Sequence, residues 1–199
     1  MKNICIAYDT VSGSTKDMAD IIEKHLIECD HVVSSYQINK KSSVNVKSYD
    51  MLILGSPMRF GAFSSAMKKW IKLHKEEIKH LEVFCYFSML YIVRIAEEPD
   101  MKLNYYIDPS LNMQIIPKKN ATNMDKTHTL AYYDTAIKKY YFYDQIKGIA
   151  FLNGRLDLAP LPFVTRLFMK CVTMLTNKEK IGNFLNPPAV IDWAKQLNL

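Results

Sequence analysis

Hydroxyl side chains are concentrated in the loop that follows the first apolar run of this sequence. The loop reads Thr10, Val11, Ser12, Gly13, Ser14 and Thr15. It lies between an apolar run at 4–8, typical of a buried parallel strand, and a predicted helix over 16–28. The first N–H groups of a helix have no intrahelical partner, and the helix dipole favours an anion there. Hydroxyl donors beside a glycine that permits close backbone approach therefore predict a phosphate site.

Two common phosphate-binding patterns are absent from this loop. The nucleoside-triphosphate pattern places two glycines ahead of a lysine and a hydroxyl residue, whereas this loop holds Gly13 alone. The dinucleotide fingerprint requires three glycines at fixed offsets, and these are also missing. The loop is therefore expected to hold a phosphate of another kind.

The elements around the loop alternate between strand and helix. Apolar runs predict strands at 4–8, 32–38, 49–54, 81–87 and 147–152. Apolar residues at helical spacing predict helices at 16–28, 64–78, 128–143 and 163–175, and a last helix opening at Pro187. This alternation predicts an α/β fold with a doubly wound, five-stranded parallel sheet and helices on both faces. Ligands of such sheets bind beyond the carboxyl ends of the strands, where the hydroxyl-rich loop lies.

The stretch 91–128 breaks the alternation. It contains three prolines and two short apolar pieces, at 103–107 and 113–116. A segment this long is often functional in a compact domain. We interpret it as an insertion after the fourth strand, near the ligand edge and with a small hairpin as one option. The whole chain, 1–199, is then a single domain.

Composition narrows the classes of partner. The formal net charge of +6 suits an anionic partner, although solubility alone would also account for it. The four cysteines show neither C-x-x-C nor zinc-ligand spacing, so we expect free thiols and no metal. The chain opens directly into an apolar strand without a signal-peptide pattern and has no membrane-length apolar run, which predicts a cytoplasmic protein.

The first loop resembles the signature of the flavodoxin-like proteins. A strand ending in Tyr8 and the residues that follow match the family's spacing: Thr10, Gly13, Thr15, Ala19 and Ile22. Ala7 and Val11 depart from the pattern, but neither change removes a donor. The resemblance implies the strand order 2-1-3-4-5 and flavin mononucleotide (FMN) as the cofactor, with its phosphate on residues 10–15.

The resemblance also implies two loops along the flavin. The second loop holds Ser56, Pro57, Met58, Arg59, Phe60 and Gly61, and the third follows the fourth strand at Ser88 and Met89. Backbone groups here can bond the ring edge, and an aromatic or methionine side chain can lie against its face. Arg59 could stabilise negative charge on the reduced ring or on an anionic substrate, or it could be a solvated loop arginine.

Within that group the chain resembles the flavodoxin-type, quinone-dependent protoporphyrinogen oxidases. The shared features are the Pro57-x-Arg59-Phe60-Gly61 pattern and residues 153–157, 161–176 and 190–197. The similarity covers 1–90 and 145–199 and is loose across the insertion. It implies a flavin-dependent oxidoreductase that oxidises a porphyrinogen-like substrate with a quinone as acceptor. It also implies peripheral contact of 163–175 with the inner face of the membrane, although packing on the sheet is the simpler role for that helix.

Three other functions remain open at this point. One is a flavodoxin electron carrier with a protein redox partner and no substrate of its own, although such carriers are usually acidic. Another is an NAD(P)H-dependent FMN reductase. A fold that binds no flavin and serves only for interaction is a third option. No nucleic-acid partner is expected, and no side chain is assigned as a catalytic acid or base.

Overall fold

The computed structural model describes residues 1–38, 44–58, 61–157, 159, 166 and 181–197. The strands are β1 (Asn3–Tyr8), β2 (Val32–Gln37), β3 (Met51–Pro57), β4 (Glu82–Met89), β5 (Val93–Ile95), β6 (Tyr105–Ile107), β7 (Gln114–Ile116), β8 (Ile146–Asn153), β9 (Arg155–Leu156) and β10 (Gly182–Asn183). The helices are α1 (Ser14–Glu28), α2 (Ser65–Leu73), α3 (Lys75–Ile78), α4 (Asn123–Lys126), α5 (Leu130–Ile137) and α6 (Pro187–Ala194).

The main sheet has six parallel strands in the order β2-β1-β3-β4-β8-β6. Its central strands are apolar along almost their whole length, because both faces are covered. The five predicted strands are all present, so the predicted fold class and the order of those five are confirmed.

Side chains of alternating strand residues enter two separate cores. Ile4 and Ile6 pack with Met18 of α1 and Trp193 of α6. Cys5 and Ala7 face the opposite core, which holds residues of α2 and α5 such as Trp70 and Tyr133. Helices therefore cover both faces of the sheet, as predicted.

Two predicted helices differ from the observed ones. The helix expected over 64–78 is interrupted at His74, whose φ of −98° and ψ of 25° leave the helical range. The helix expected over 128–143 ends at Ile137, and Phe142 then turns into the core, where it is fully buried. The amphipathic helix predicted over 163–175 lies outside the described residues, apart from Arg166.

The structure of the insertion differs from the prediction in two ways: the main sheet has a sixth strand, and the two apolar pieces do not form a hairpin. β6 pairs in parallel with β8 and becomes the sixth strand of the main sheet. The two apolar pieces at 103–107 and 113–116 do not pair with each other, because β7 pairs in parallel with β5 instead. A parallel pair needs a crossover between its strands, and β6 lies on that crossover.

A buried aspartate holds the end of β6 in place. Asp108 is fully buried, and one carboxylate oxygen accepts hydrogen bonds from the Ser110 backbone N–H (2.8 Å) and the Asn186 amide (2.8 Å). The other oxygen accepts from the backbone N–H of Asn153 at 3.1 Å. The insertion, β8 and the start of α6 are thus joined through one carboxylate.

Within the ranges that the structure describes, no helix is both long enough and apolar enough to span a bilayer.

Candidate functional site

The three loops singled out in the sequence meet at the carboxyl edge of the sheet. The hydroxyl oxygens of Ser14 and Ser88 lie 2.5 Å apart, which joins the first loop to the third. The Ser88 carbonyl accepts a hydrogen bond from the Met58 N–H at 3.0 Å, which adds the second loop. The Asp9 N–H donates to the Gly55 carbonyl at 2.9 Å and ties the first loop to the second once more.

The first loop opens α1 with a glycine in a left-handed conformation. Gly13 has a φ of 87°, a value that L side chains rarely adopt. Its N–H donates to the Thr10 hydroxyl oxygen at 3.0 Å, which closes the loop on itself. No side chain of the described residues caps α1, so the first N–H groups of this helix are left for an anion.

The other side chains of this loop have different surroundings. The Ser12 hydroxyl donates to the Arg155 carbonyl at 3.1 Å, so it serves to hold the loop. The Ser14 hydroxyl is shared with Ser88, and Thr15 is buried. Val11 is 42% exposed at the rim, which explains why this position accepts an apolar residue without loss of a donor.

Ser56 joins the two described ends of the second loop. Its buried hydroxyl accepts from the Ser64 N–H at 3.0 Å and donates to the Pro57 carbonyl at 3.1 Å. Gly61 has a φ of 72°, and a Cβ there would collide with the ring of Tyr132. The described residues on either side of 59–60 are therefore held in place.

Two methionines lie close to where the loops meet. Met58 is partly buried and Met89 is buried, and both contact the core on the α2 and α5 side of the sheet. Arg59 and Phe60, also predicted for this site, lie outside the described residues.

Tyr86 supports the first loop from below. It is fully buried in β4, and its hydroxyl donates to the Thr15 carbonyl at 2.9 Å. Burial raises the pKa of this hydroxyl well above its ordinary value, so it remains a protonated donor. Gly55 lies against its ring, where a Cβ would collide with the ring atoms.

Two residues that follow β8, Gly154 and Arg155, also lie at the carboxyl edge of the sheet, beside the first loop. The sequence did not predict them as site residues. A Cβ on Gly154 would collide with the Ser88 hydroxyl and lie 3.1 Å from that of Ser14. The next residue, Arg155, forms an ion pair with Asp17 of α1. Their position in the sequence could have indicated them, because they directly follow a parallel strand and ligands of such sheets bind beyond the carboxyl ends of the strands.

The geometry suits a phosphate ester. The α1 N–H groups are uncapped, Gly13 leaves space where a side chain would project, and Arg155 brings a positive charge to the same turn. Each of these features favours an anion.

Comparisons with known proteins agree with this architecture. A family model described as a flavodoxin domain matches residues 5–181. The protoporphyrinogen IX dehydrogenase (quinone) of Leishmania major is 28% identical over 110 residues, which are 53% of this chain and 46% of that protein. The chain thus spans about half the length of this curated relative.

The solved structures to which this chain is similar include flavodoxins and flavoproteins. The two-electron reduced flavodoxin of Megasphaera elsdenii is 16% identical, with a TM-score of 0.45 over 79% of this chain and 90% of that one. A flavoprotein of Lactobacillus acidophilus in complex with FMN is 14% identical, with a TM-score of 0.44 over 76% and 93%.

Proposed function

This chain belongs to the flavodoxin domain family, and we propose that it binds FMN at the carboxyl edge of its sheet and acts as a flavin-dependent oxidoreductase. The observation that carries the proposal is the uncapped N-terminus of α1, opened by Gly13 and placed directly after β1. In the sheet order, β1 lies between β2 and β3, so α1 begins where the strand order reverses. A phosphate there meets both free N–H groups and the positive end of the helix dipole.

In this proposal, each loop holds a different part of the cofactor. The phosphate lies on 10–15. The ribityl chain and the flavin ring lie along the second and third loops, on Ser56, Pro57, Met58, Arg59, Phe60, Gly61, Ser88 and Met89. Met58 and Met89 provide polarizable apolar contact and exclude water from the ring.

The bound flavin supplies the electron transfer, and the protein sets its surroundings and admits the substrate. Because the Met58 N–H is already bonded to Ser88, the backbone at Met58 is held in place before the cofactor binds. Such preorganisation lowers the cost of ordering the loop when FMN enters.

The lining of a cavity beside the second loop suits an anionic substrate. A cavity of about 400 Å³ is lined by Ala62, two tyrosines (Tyr132 and Tyr140) and two lysines, Lys68 and Lys139. Neither lysine forms an ion pair within the described ranges. Together with the 28% identical dehydrogenase, this supports a porphyrinogen-like substrate, whose propionates the lysines would attract, and a quinone acceptor.

An electron carrier is the second candidate, favoured by the flavodoxin domain match itself. The net charge of +6 argues for the enzyme, because carriers of this kind are usually acidic. Peripheral membrane contact of 163–175 stays a prediction, since this segment lies outside the described residues apart from Arg166. The cytoplasmic location is also a prediction.

Titration with FMN tests the cofactor. Binding should give a flavin absorbance band on the protein and raise the melting temperature, since a ligand that binds the native state stabilises it. A chain that acquires neither would contradict the flavin site. Anaerobic assays with the holoprotein then compare porphyrinogen plus quinone, NAD(P)H and a reduced protein partner. Quinone-linked porphyrinogen oxidation is the expected result, and electron exchange only with a protein partner would favour the carrier.

A further inference from the structure

The chain after β8 is pressed against the phosphate loop. Gly154 leaves no room for a side chain between Ser88 and Ser14, and its N–H donates to the Met89 carbonyl at 2.9 Å. The Ser12 hydroxyl donates to the carbonyl of Arg155 at 3.1 Å. These contacts fix the backbone of Arg155 beside residues 12–14.

The Arg155 guanidinium extends over the start of α1. Its Nη1 lies 3.6 Å from the point where a Cβ on Gly13 would be. Its Nη2 pairs with the Asp17 carboxylate in the first turn of the helix. Nε is buried without a hydrogen-bond partner among the described residues. A buried guanidinium nitrogen without a partner is costly, which points to an acceptor that is yet to bind.

We propose that Arg155 binds the terminal phosphate of the flavin nucleotide, and that Asp17 positions the guanidinium while opposing the phosphate charge. The inference rests on the proposed FMN site. Arginine presents planar donors that suit a phosphate, and Asp17 accepts from Nη2 alone, which leaves the N–H groups of Nη1 and Nε. The side chain of Arg155 is 28% exposed, so solvent weakens the ion pair without removing it.

Asp17 distinguishes this role from a purely structural one. If the ion pair only held the loop together, neutralising Asp17 would loosen the loop and weaken FMN binding. If Arg155 binds phosphate, the same change removes a negative charge near that phosphate and strengthens binding. Asn at position 17 keeps an oxygen that can accept from Arg155, so the guanidinium stays in place.

The experiment measures the dissociation constants of FMN and of riboflavin, which lacks the phosphate, on the full chain. R155Q should weaken FMN binding roughly 10- to 100-fold, the worth of a charged hydrogen bond. R155K keeps the charge without the paired donors and should lie between R155Q and the wild type. D17N should tighten FMN binding roughly 2- to 5-fold, as expected for a partly exposed charge. Riboflavin binding should change in none of them.

R94Q is the matched control. It removes the same positive charge from another ion pair, that of Arg94 with Asp100 at 3.3 Å in the insertion. The proposal is overturned if R155Q binds FMN within about twofold of R94Q, or if R155Q and D17N both weaken FMN binding. Loss of FMN and riboflavin together in R155Q would assign it a structural role and also overturn the proposal. A wild-type chain that binds no FMN would instead defeat the proposed function.

Discussion

The hydroxyl of Tyr86 donates a hydrogen bond to the backbone carbonyl of Thr15 at 2.9 Å, from the centre of the sheet to the first turn of α1. This carbonyl lies at the N-terminal end of α1, next to the loop that opens the helix, and Gly55 leaves space for the tyrosine ring. A side chain of β4 thus helps to hold that loop in place from the centre of the sheet.

Replacing Tyr86 by Phe should lower the free energy of unfolding by about 1 kcal/mol, because a buried hydrogen bond is lost. Chemical denaturation of the full chain measures the change. Tyr106→Phe is the matched control, since no hydrogen bond of the Tyr106 hydroxyl is present within the described part of the chain. Equal losses in the two variants would contradict the assigned role of the Tyr86 bond.

Gly154→Ala should destabilise the protein by about 1–3 kcal/mol, because the new methyl group collides with the Ser88 hydroxyl. Ser88→Ala removes that oxygen, so the double variant should recover part of the loss. A double-mutant cycle measured by denaturation gives the coupling energy. Additive effects of the two changes would show that the collision is relieved in another way.

Asp108→Asn should cost about 2–3 kcal/mol, because an amide donor would face groups that already donate to this carboxylate. Urea unfolding provides the measurement. Asp144 is exposed, and Asp144→Asn supplies a control with the same change of charge. If both variants are near wild type, the carboxylate does not hold the insertion to β8.

Acid should weaken the fold through His74. Burial lowers the pKa of this imidazole below 6.5. The centroid of its ring lies 4.4 Å from that of the Trp70 ring. The unfolded chain therefore binds a proton at a pH where the folded chain does not. The stability contributed by neutral His74 is present above the unfolded pKa and is lost as the pH falls through it towards the folded value.

His74→Gln should accordingly flatten the decline of stability between about pH 7 and pH 5. His80→Gln, which makes the same replacement at an exposed histidine, is the control. Unfolding curves collected across this range decide the matter. An unaltered pH profile in His74→Gln would rule out burial of this imidazole as the source of the effect.

Local signals made much of this molecule predictable from its sequence. Patterns within about twenty residues predicted the strand at 4–8 and the helix that follows Gly13. The first loop could be located because ligands of parallel sheets bind beyond the carboxyl ends of the strands. The other two loops were implied by the resemblance to the flavodoxin-like proteins.

What the sequence did not reveal depends on contacts between distant segments. β6 has three half-buried residues and becomes a strand only because β8 offers a free edge. The break at His74 lasts one residue, too short to disturb the apolar spacing. Arg155 reaches α1 only because Gly154 packs against Ser88, a contact without a local signature.

The hydrogen bond between Ser12 and Arg155 spans 143 positions of the chain, and that between Ser14 and Ser88 spans 74. During synthesis, the first strand and α1 therefore emerge long before the residues that close their ligand site. Contacts so far apart in sequence form late and slowly, since the intervening chain must be ordered first. A nucleotide added during refolding should therefore slow unfolding of the finished protein rather than accelerate its folding.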